Sequence, residues 1–202
     1  WKRDKFILPI KWFLKFSERI AVKFSDLIIA DNVKIQEYLE EEYKTASKLI
    51  EYGGDHVVID AKLNKSTEEK YSIKCDDYAF KVCRIEPENN IDMLLEAFSN
   101  SQINFVFVGN WNNSTYGKNL RSKYSNFTNL KLLDPIYDQE TLDALRNNCL
   151  IYLHGHSVGG TNPSLVEAMS LGLFIVAYDV GFNKETTENS ALYFSSSADL
   201  LL

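Results

Sequence analysis

The sequence of 202 residues lacks the features that mark several large classes of protein. Its three cysteines, Cys75, Cys83 and Cys149, are odd in number and form no CxxC pair, so they predict neither a disulfide framework nor a zinc site. No segment approaches the run of about 20 apolar residues that spans a bilayer. The net charge of −6 argues against general nucleic-acid binding, since proteins that bind the phosphate backbone carry a clustered basic surface. We therefore expect a cytoplasmic protein without nucleic-acid partners.

Positive charge is concentrated at the amino end of the chain. Residues 1–24 hold seven Lys or Arg against Asp4 and Glu18, and apolar residues recur there at spacings of three and four. This pattern predicts an amphipathic helix over 11–24. Such a helix suits an anionic lipid surface such as the inner face of the plasma membrane, or it packs its apolar face against the rest of its domain. Because the chain begins at Trp1 without an initiating Met, we expect it to be part of a longer protein.

Residues 26–54 show the order strand, helix, strand. A short apolar run at 26–31 is followed by helical spacing over Val33–Tyr43 and by a second apolar run that stops at Gly53-Gly54. This order predicts the closing β-α-β portion of a Rossmann-like unit. Residues 55–76 lack sustained periodicity and are rich in Lys, Glu and Ser, so we place a connector between two domains there.

From residue 77 onward, apolar strands alternate with helices. Strands are predicted at 79–85, 104–108, 130–133, 150–154, 174–177 and 191–194, and helices at 91–99, 119–125, 139–147 and 164–171. Alternation with almost wholly apolar strands is typical of a doubly wound parallel sheet. The predicted fold class is α/β, with a Rossmann-like domain over 77–202 and the end of a second Rossmann-like domain over 1–54.

In doubly wound sheets, ligands bind beyond the carboxyl ends of the strands. The segment after the predicted strand 150–154 carries three glycines and then Asn162-Pro163, a good cap and first position for a helix. Backbone amides at the first turn of a helix favour an anion such as phosphate. The segment therefore predicts a phosphate site, and a plain turn with a capping box at 164–167 is the simpler alternative.

Two charged side chains stand where such a ligand would be bound. Arg84 ends the first strand of this domain, where its guanidinium would meet a diphosphate, unless it forms a surface ion pair with Glu86 or Glu88. Glu167 lies about one turn inside the helix that follows the glycines. Its carboxylate would accept hydrogen bonds from sugar hydroxyls, and the alternative is an exposed acid that meets only solvent.

Histidines and aromatic residues supply further candidates. His154 and His156 stand two positions apart without a third ligand nearby, so a hydrogen bond to phosphate or sugar is a better hypothesis for them than metal binding. Ile136 and Tyr137 follow a strand end, where they would either support a flat nucleobase or belong to the core. Trp111, in the Asn-rich loop after the second strand of the domain, has the same two interpretations.

Three long segments, taken in order, resemble retaining glycosyltransferases of the GT-B fold and family 4 type. The similarity is to the bacterial rhamnosyltransferase-like branch that serves capsule and O-antigen synthesis. The donor-site signature is YLHGHSVGGTNPSLVEAMSLGLFIVAYDVGFN, the first-strand motif is VCRIEPENNIDMLLEAF, and the end of the acceptor domain is LIIADNVKIQEYLEEEY with LIEYGGD. The resemblance implies an acceptor-domain end at 1–54, a connector at 55–76 and a nucleotide-sugar donor domain at 77–202.

The resemblance also implies residue roles. Arg84 would contact the donor diphosphate, Glu167 the ribose or deoxyribose, residues 162–165 the phosphates through their amides, and residues 136–137 the base. The candidate catalytic residues are Arg84, His156 and Glu167. The candidate donor contacts are Arg84, Asn89, Gly109, Trp111, Ile136, Tyr137, Gly159, Gly160, Thr161, Asn162, Pro163, Ser164, Leu165 and Glu167. Two positions depart from the wider family: Gly159 replaces the first Glu of its Glu-x7-Glu pair, and Asn89 replaces a Lys.

The implied activity is transfer of a hexose or deoxyhexose, rhamnose among them, from a dTDP-, UDP- or GDP-sugar. The acceptor would be a glycan or a lipid-linked molecule in surface polysaccharide synthesis. The resemblance implies a retaining reaction without metal or cofactor. Two alternatives stay open, namely a GT-B nucleotide-sugar epimerase and a non-catalytic nucleotide-binding module, the latter because Gly159 stands where the family has Glu.

Overall fold

A computed structural model describes residues 6–201 of the chain. Eight α-helices lie in this part, with bounds α1 Leu8–Phe24, α2 Val33–Tyr43, α3 Lys65–Tyr71, α4 Ile91–Ser99, α5 Thr115–Tyr124, α6 Gln139–Asn147, α7 Pro163–Ser170 and α8 Gly181–Thr186. Eight strands lie there too, with bounds β1 Ile29–Ala30, β2 Lys48–Leu49, β3 Tyr78–Val82, β4 Asn104–Val108, β5 Leu130–Leu133, β6 Ile151–His154, β7 Ile175–Tyr178 and β8 Leu192–Phe194.

The larger part of the chain is built on one six-stranded sheet. All its neighbouring strands pair in parallel, in the order β5, β4, β3, β6, β7, β8. The chain therefore winds outward in one direction from β3 and in the other from β6, and the topological switch point lies between these two strands. Buried apolar side chains form one core cluster on each face of the sheet. The predicted α/β, doubly wound parallel fold is confirmed.

The first part of the chain contributes a smaller unit. Strands β1 and β2 pair in parallel on either side of α2, which is the predicted order of strand, helix and strand. The side chain of Asn32 begins α2 by accepting a hydrogen bond from the Lys34 amide. This unit lies against the larger sheet through contacts between α2 and α8.

Helix α1 follows the predicted amphipathic pattern but buries none of its residues. It begins at Leu8, earlier than predicted, because Pro9 fits the first turn of a helix. Residues 1–5, the first part of the predicted lipid-facing segment, and Leu202 lie outside the described residues. Within 6–201, no helix combines the length and the apolar character needed to cross a bilayer.

Two helices were missed at the sequence level. Helix α3 lies in the connector that was expected to be irregular, and the Asn64 side chain caps it by accepting from the Thr67 amide at 2.8 Å. Helix α8 has only six residues and follows Val180 without a side-chain cap. Both are short and polar, so neither has the apolar repeat on which helix prediction depends.

Candidate functional site

The loops that follow β3 and β6 meet at the switch point. The Ser157 amide and hydroxyl both donate to the Glu88 carbonyl oxygen, at 2.9 and 2.8 Å. The Asn90 side-chain amide donates to the Gly155 carbonyl oxygen at 3.0 Å. These bonds join the two strand-end loops into one surface at the place where doubly wound sheets bind ligands.

Arg84 lies on this surface with an exposed side chain. Its own carbonyl oxygen accepts from the Asn89 side-chain amide at 2.7 Å, which fixes the backbone at the end of β3. The alternative ion pair with Glu86 or Glu88 is absent from the salt bridges of the described residues. The guanidinium is therefore open to an anionic ligand, which it can bind through two parallel hydrogen bonds.

The start of α7 differs in detail from the predicted phosphate site. Asn162 caps the helix as predicted, and Pro163 occupies its first turn. The Ser164 amide donates to the Asn162 side-chain oxygen at 3.1 Å, and the Leu165 amide donates to the Asn162 carbonyl oxygen at 2.9 Å. Pro163 has no N–H. Pro163 therefore cannot contact a phosphate through an amide, while such a contact of the Ser164 and Leu165 amides stays a prediction. The Asn162 cap takes the place of the capping box at 164–167.

The amides just before the helix are better placed for an anion. Gly159 has a φ of +141°, a conformation that side-chain-bearing residues rarely adopt, and no atom lies within 4 Å of the position where its Cβ would be. No hydrogen bond within the described residues uses the amides of 159–162. This open glycine segment is the part of the loop that can approach a phosphate closely.

The small unit formed by β1, α2 and β2, the β1–α2 unit, holds the other side of the same loop. The Thr161 hydroxyl donates to the Asp31 carbonyl oxygen at 2.7 Å and accepts from the Asn32 side-chain amide at 3.1 Å. A Cβ on Gly160 would lie 2.5 Å from Ile35 Cδ1 and 2.8 Å from Asp31 Oδ1, so a larger residue would have to displace the ends of these side chains. The Thr161 side chain thus anchors the loop, and the predicted contact of this residue with the donor is left to its backbone amide.

Glu167 has a side chain that is 16% exposed and two basic partners. Its Oε2 accepts a hydrogen bond from Nη2 of Arg146, and its Oε1 lies 3.1 Å from Nε2 of His56. The alternative of an acid that meets only solvent is therefore wrong. Arg146 and its other partner, Asp143, are both buried, with 2.5 Å between Nη1 and Oδ1.

Sequence reasoning missed these partners of Glu167. Asp143 and Arg146 stand three apart on α6 among buried apolar residues, and charged residues on a buried face are a signal of pairing. Their partner on α7 is distant in sequence, so spacing alone does not reveal it. His56 belongs to the connector, where no pattern pointed to a role.

The two histidines occupy different depths. His154 is fully buried, and burial, then the neighbouring His156 and Lys81, lower its pKa well below the usual value, so its ring is neutral. His156 stacks on it with ring centroids 4.5 Å apart and lies nearer the surface. The Asn183 side chain of α8 donates to the His156 carbonyl oxygen at 3.0 Å and holds this loop in place. In residues 6–201, no three His, Cys, Asp or Glu side chains are grouped to hold a metal ion.

Four predicted donor contacts belong to the interior instead. These residues, all buried, are Asn89, Gly109, Trp111 and Leu165. The Asn89 side-chain amide donates to the Arg84 carbonyl oxygen, and the Trp111 indole donates to the Leu133 carbonyl oxygen at 2.9 Å. These residues are closed off from the solvent in this structure, and their contact with the donor stays a prediction.

The predicted base contacts split in the same way. Ile136 packs partly against a core cluster, while the Tyr137 side chain is 91% exposed. Tyr137 therefore has a free aromatic face, and its contact with a nucleobase stays a prediction.

The chain is similar to known glycosyltransferases over most of its length. The family described as Glycosyl transferases group 1 matches residues 64–198, and a domain of unknown function, DUF1972, matches residues 1–55. No curated protein matches the chain significantly.

Solved structures show the same fold at low sequence identity. HepE (Alr3699) of Anabaena, crystallised with UDP and glucose, superposes with a TM-score of 0.76 at 19% identity, over 93% of this chain and 55% of that one. Sucrose-phosphate synthase (tll1590) of Thermosynechococcus elongatus superposes with a TM-score of 0.73 at 16% identity, over 92% of this chain and 50% of that one. The chain thus spans about half the length of these proteins. The sheet of this chain is that of the GT-B fold. Because the group 1 family matches two thirds of its residues, the chain belongs to the group 1 glycosyl transferases.

Proposed function

We propose that this chain carries the nucleotide-sugar site of a glycosyltransferase. The observation that supports it best is the switch-point surface, where the open guanidinium of Arg84, the glycine segment 159–162 and the partly exposed carboxylate of Glu167 belong to neighbouring strand ends. A cation and backbone amides suit a diphosphate, and a carboxylate suits a diol. HepE, a structural neighbour, was crystallised with UDP-glucose.

In the proposed reaction, the protein stabilises the leaving group. Negative charge develops on the nucleoside diphosphate as the bond to the sugar breaks, and Arg84 with the loop amides meets that charge. Glu167 holds the ribose, so that the reacting sugar is placed correctly. His156, at the edge of the same loop, is within the proposed site as a hydrogen-bond donor. The reaction is retaining and needs neither metal nor cofactor.

The narrower identity of the substrates rests on the sequence motifs. The segments at 82–98 and 152–183 resemble rhamnosyltransferases, which supports a deoxyhexose donor such as a rhamnose nucleotide and a glycan or lipid-linked acceptor in surface polysaccharide synthesis. Tyr137 offers its exposed ring to the nucleobase.

The exposed face of α1 supports a place for the reaction at the cytoplasmic face of a membrane. Trp12 is 79% exposed and Phe24 71%, and Lys11, Arg19 and Lys23 flank this apolar face. Basic and aromatic side chains together favour an anionic lipid surface. A lipid-linked acceptor would be bound there.

Donor turnover tests the proposed function. We expect the complete protein to release nucleoside diphosphate from its nucleotide sugar in the presence of EDTA, and Glu167→Ala to lower the rate about tenfold or more, since a hydrogen bond to a charged group contributes about 1.5–3 kcal/mol. Glu188→Ala, at an exposed acid in the turn before β8, is the matched control. An epimerised nucleotide sugar formed without acceptor would instead identify an epimerase, and binding without any turnover a non-catalytic module.

A further inference from the structure

A chain of charged side chains runs from the connector through α6 to Glu167. Asp143 accepts from the Val58 amide and from the Gln139 side chain, both at 3.0 Å. Asp143 in turn binds Arg146, and Arg146 binds Glu167. The buried charges of Asp143 and Arg146 are thus paired, as burial requires.

The two carboxylate oxygens of Glu167 have different surroundings. Oε2 faces the interior, where its partner Arg146 has a side chain that is 1% exposed. Oε1 faces outward, where its partner His56 is 53% exposed. Oε2 is therefore paired within the fold, and Oε1 meets an exposed surface side chain that a ligand can displace.

We infer that Arg146 is a positioning residue, which turns Oε1 of Glu167 toward the ribose hydroxyls of the donor, and that Asp143 fixes Arg146 for this task. The inference rests on the proposed function. A ribose hydroxyl donates to Oε1 as the His56 ring does at 3.1 Å, so the donor takes the place of His56. Without Arg146 the Glu167 side chain would rotate among several rotamers, and its alignment with the hydroxyls would be lost.

A merely structural role for Arg146 predicts a different result. Loss of a structural contact lowers the stability of the protein and weakens the binding of every nucleotide by the same factor. Loss of a positioning contact removes only the part of the affinity that depends on the ribose hydroxyls. The ratio of affinities for a nucleotide with and without these hydroxyls therefore separates the two roles.

The experiment is calorimetric titration of the full chain with UDP, GDP and dTDP, each paired with its analogue that lacks ribose hydroxyls. The variants are Glu167→Gln, Arg146→Met and the double variant, with Arg121→Met as control. Arg121 forms an exposed pair with Asp134 at 2.7 Å, away from Glu167. Asp143→Asn serves as a second variant, because Arg146→Met leaves the buried Asp143 carboxylate without its cation and can fail to fold.

We expect the wild type to prefer the hydroxyl-bearing form of its nucleotide by about tenfold or more. Arg146→Met and Glu167→Gln should each bring this preference to within about twofold of unity, and the double variant should lower it no further, as for two residues that act through one contact. Affinity for the hydroxyl-free analogue should stay within about threefold of wild type, and Asp143→Asn should reduce the preference about threefold.

Three results would overturn the inference. The first is that the preference for ribose hydroxyls persists in a folded Arg146→Met or Asp143→Asn variant. The second is that a variant binds both members of a nucleotide pair more weakly by the same factor. The third is that the wild type binds a nucleotide equally well with and without its hydroxyls. In these cases the proposed donor site survives. Failure of the wild type to bind any of the nucleotides would instead refute the proposed function, and the inference with it.

Discussion

At the scale of residues, the site divides its polar side chains between the ligand and the fold. The Asn89 and Asn162 side chains form hydrogen bonds with the backbone of their own loops, and Thr161 donates to the Asp31 carbonyl oxygen before α2. Arg84 faces the solvent, and the outward oxygen of Glu167 is paired only with the exposed ring of His56. A ligand therefore meets a few polar groups that are held in place by neighbours already satisfied, which lowers the entropic cost of binding.

Substitution of Arg84 tests its assignment to the diphosphate. We expect Arg84→Ala to weaken the binding of a nucleoside diphosphate by about 1.5–3 kcal/mol, as for a charge-assisted hydrogen bond, with little change in stability because the side chain is exposed. Titration calorimetry measures the affinity, and Arg121→Ala is the matched control. Unchanged affinity would remove Arg84 from the site.

The buried His154 predicts how stability depends on pH. Its pKa is lowered in the folded chain, so below about pH 6.5, the usual pKa of histidine, the unfolded chain binds a proton that the folded chain does not. The free energy of unfolding should therefore fall as the pH drops, with a contribution from this group of up to about 1.4 kcal/mol per pH unit. Urea unfolding between pH 7 and pH 5 should show a shallower fall in His154→Phe. Parallel curves for the two proteins would contradict a neutral His154.

At the scale of elements, apolar strands were predictable and short polar helices were not. The predicted bounds of β4, β5, α4 and α6 agree with the structure, because continuous apolar runs and a clear helical repeat define them. Helix α5 begins at Thr115 rather than 119, because the Ser114 side chain accepts from the Gly117 amide and starts the helix early. The positions of Arg84 and Glu167 beside the strand-end loops were open to prediction from strand and helix ends. Asp143, Arg146 and His56 were not, since their contacts depend on how α6, α7 and the connector come together.

Helix α1 is the element whose apolar face is most open. We expect the chain to bind vesicles that contain anionic phospholipid, and the double variant Trp12→Ala/Phe16→Ala to lose most of this binding, because both side chains are exposed on α1. Cosedimentation measures the bound fraction, and Phe127→Ala, an exposed aromatic after α5, is the control. Equal binding of wild type and double variant would show that this face does not lie on lipid.

At the scale of the whole molecule, two units meet at one loop. The β1–α2 unit holds the glycine segment through Asn32, which is fully buried and donates to Thr161 and to Thr186 on α8 at 3.1 Å each. Segment 55–76 contacts Glu167 through His56 and Asp143 through Val58. The candidate site is therefore formed by three parts of the chain, and a family match to residues 64–198 alone does not contain all of it.

The central claim is that the switch point binds a nucleoside diphosphate without metal. Calorimetric titration of the chain with dTDP, UDP and GDP in EDTA tests it most directly. We predict saturable binding of one of the three with a stoichiometry of about one, since the chain has one switch point between β3 and β6. Absence of binding for all three, with the protein folded under the same conditions, would contradict the donor site.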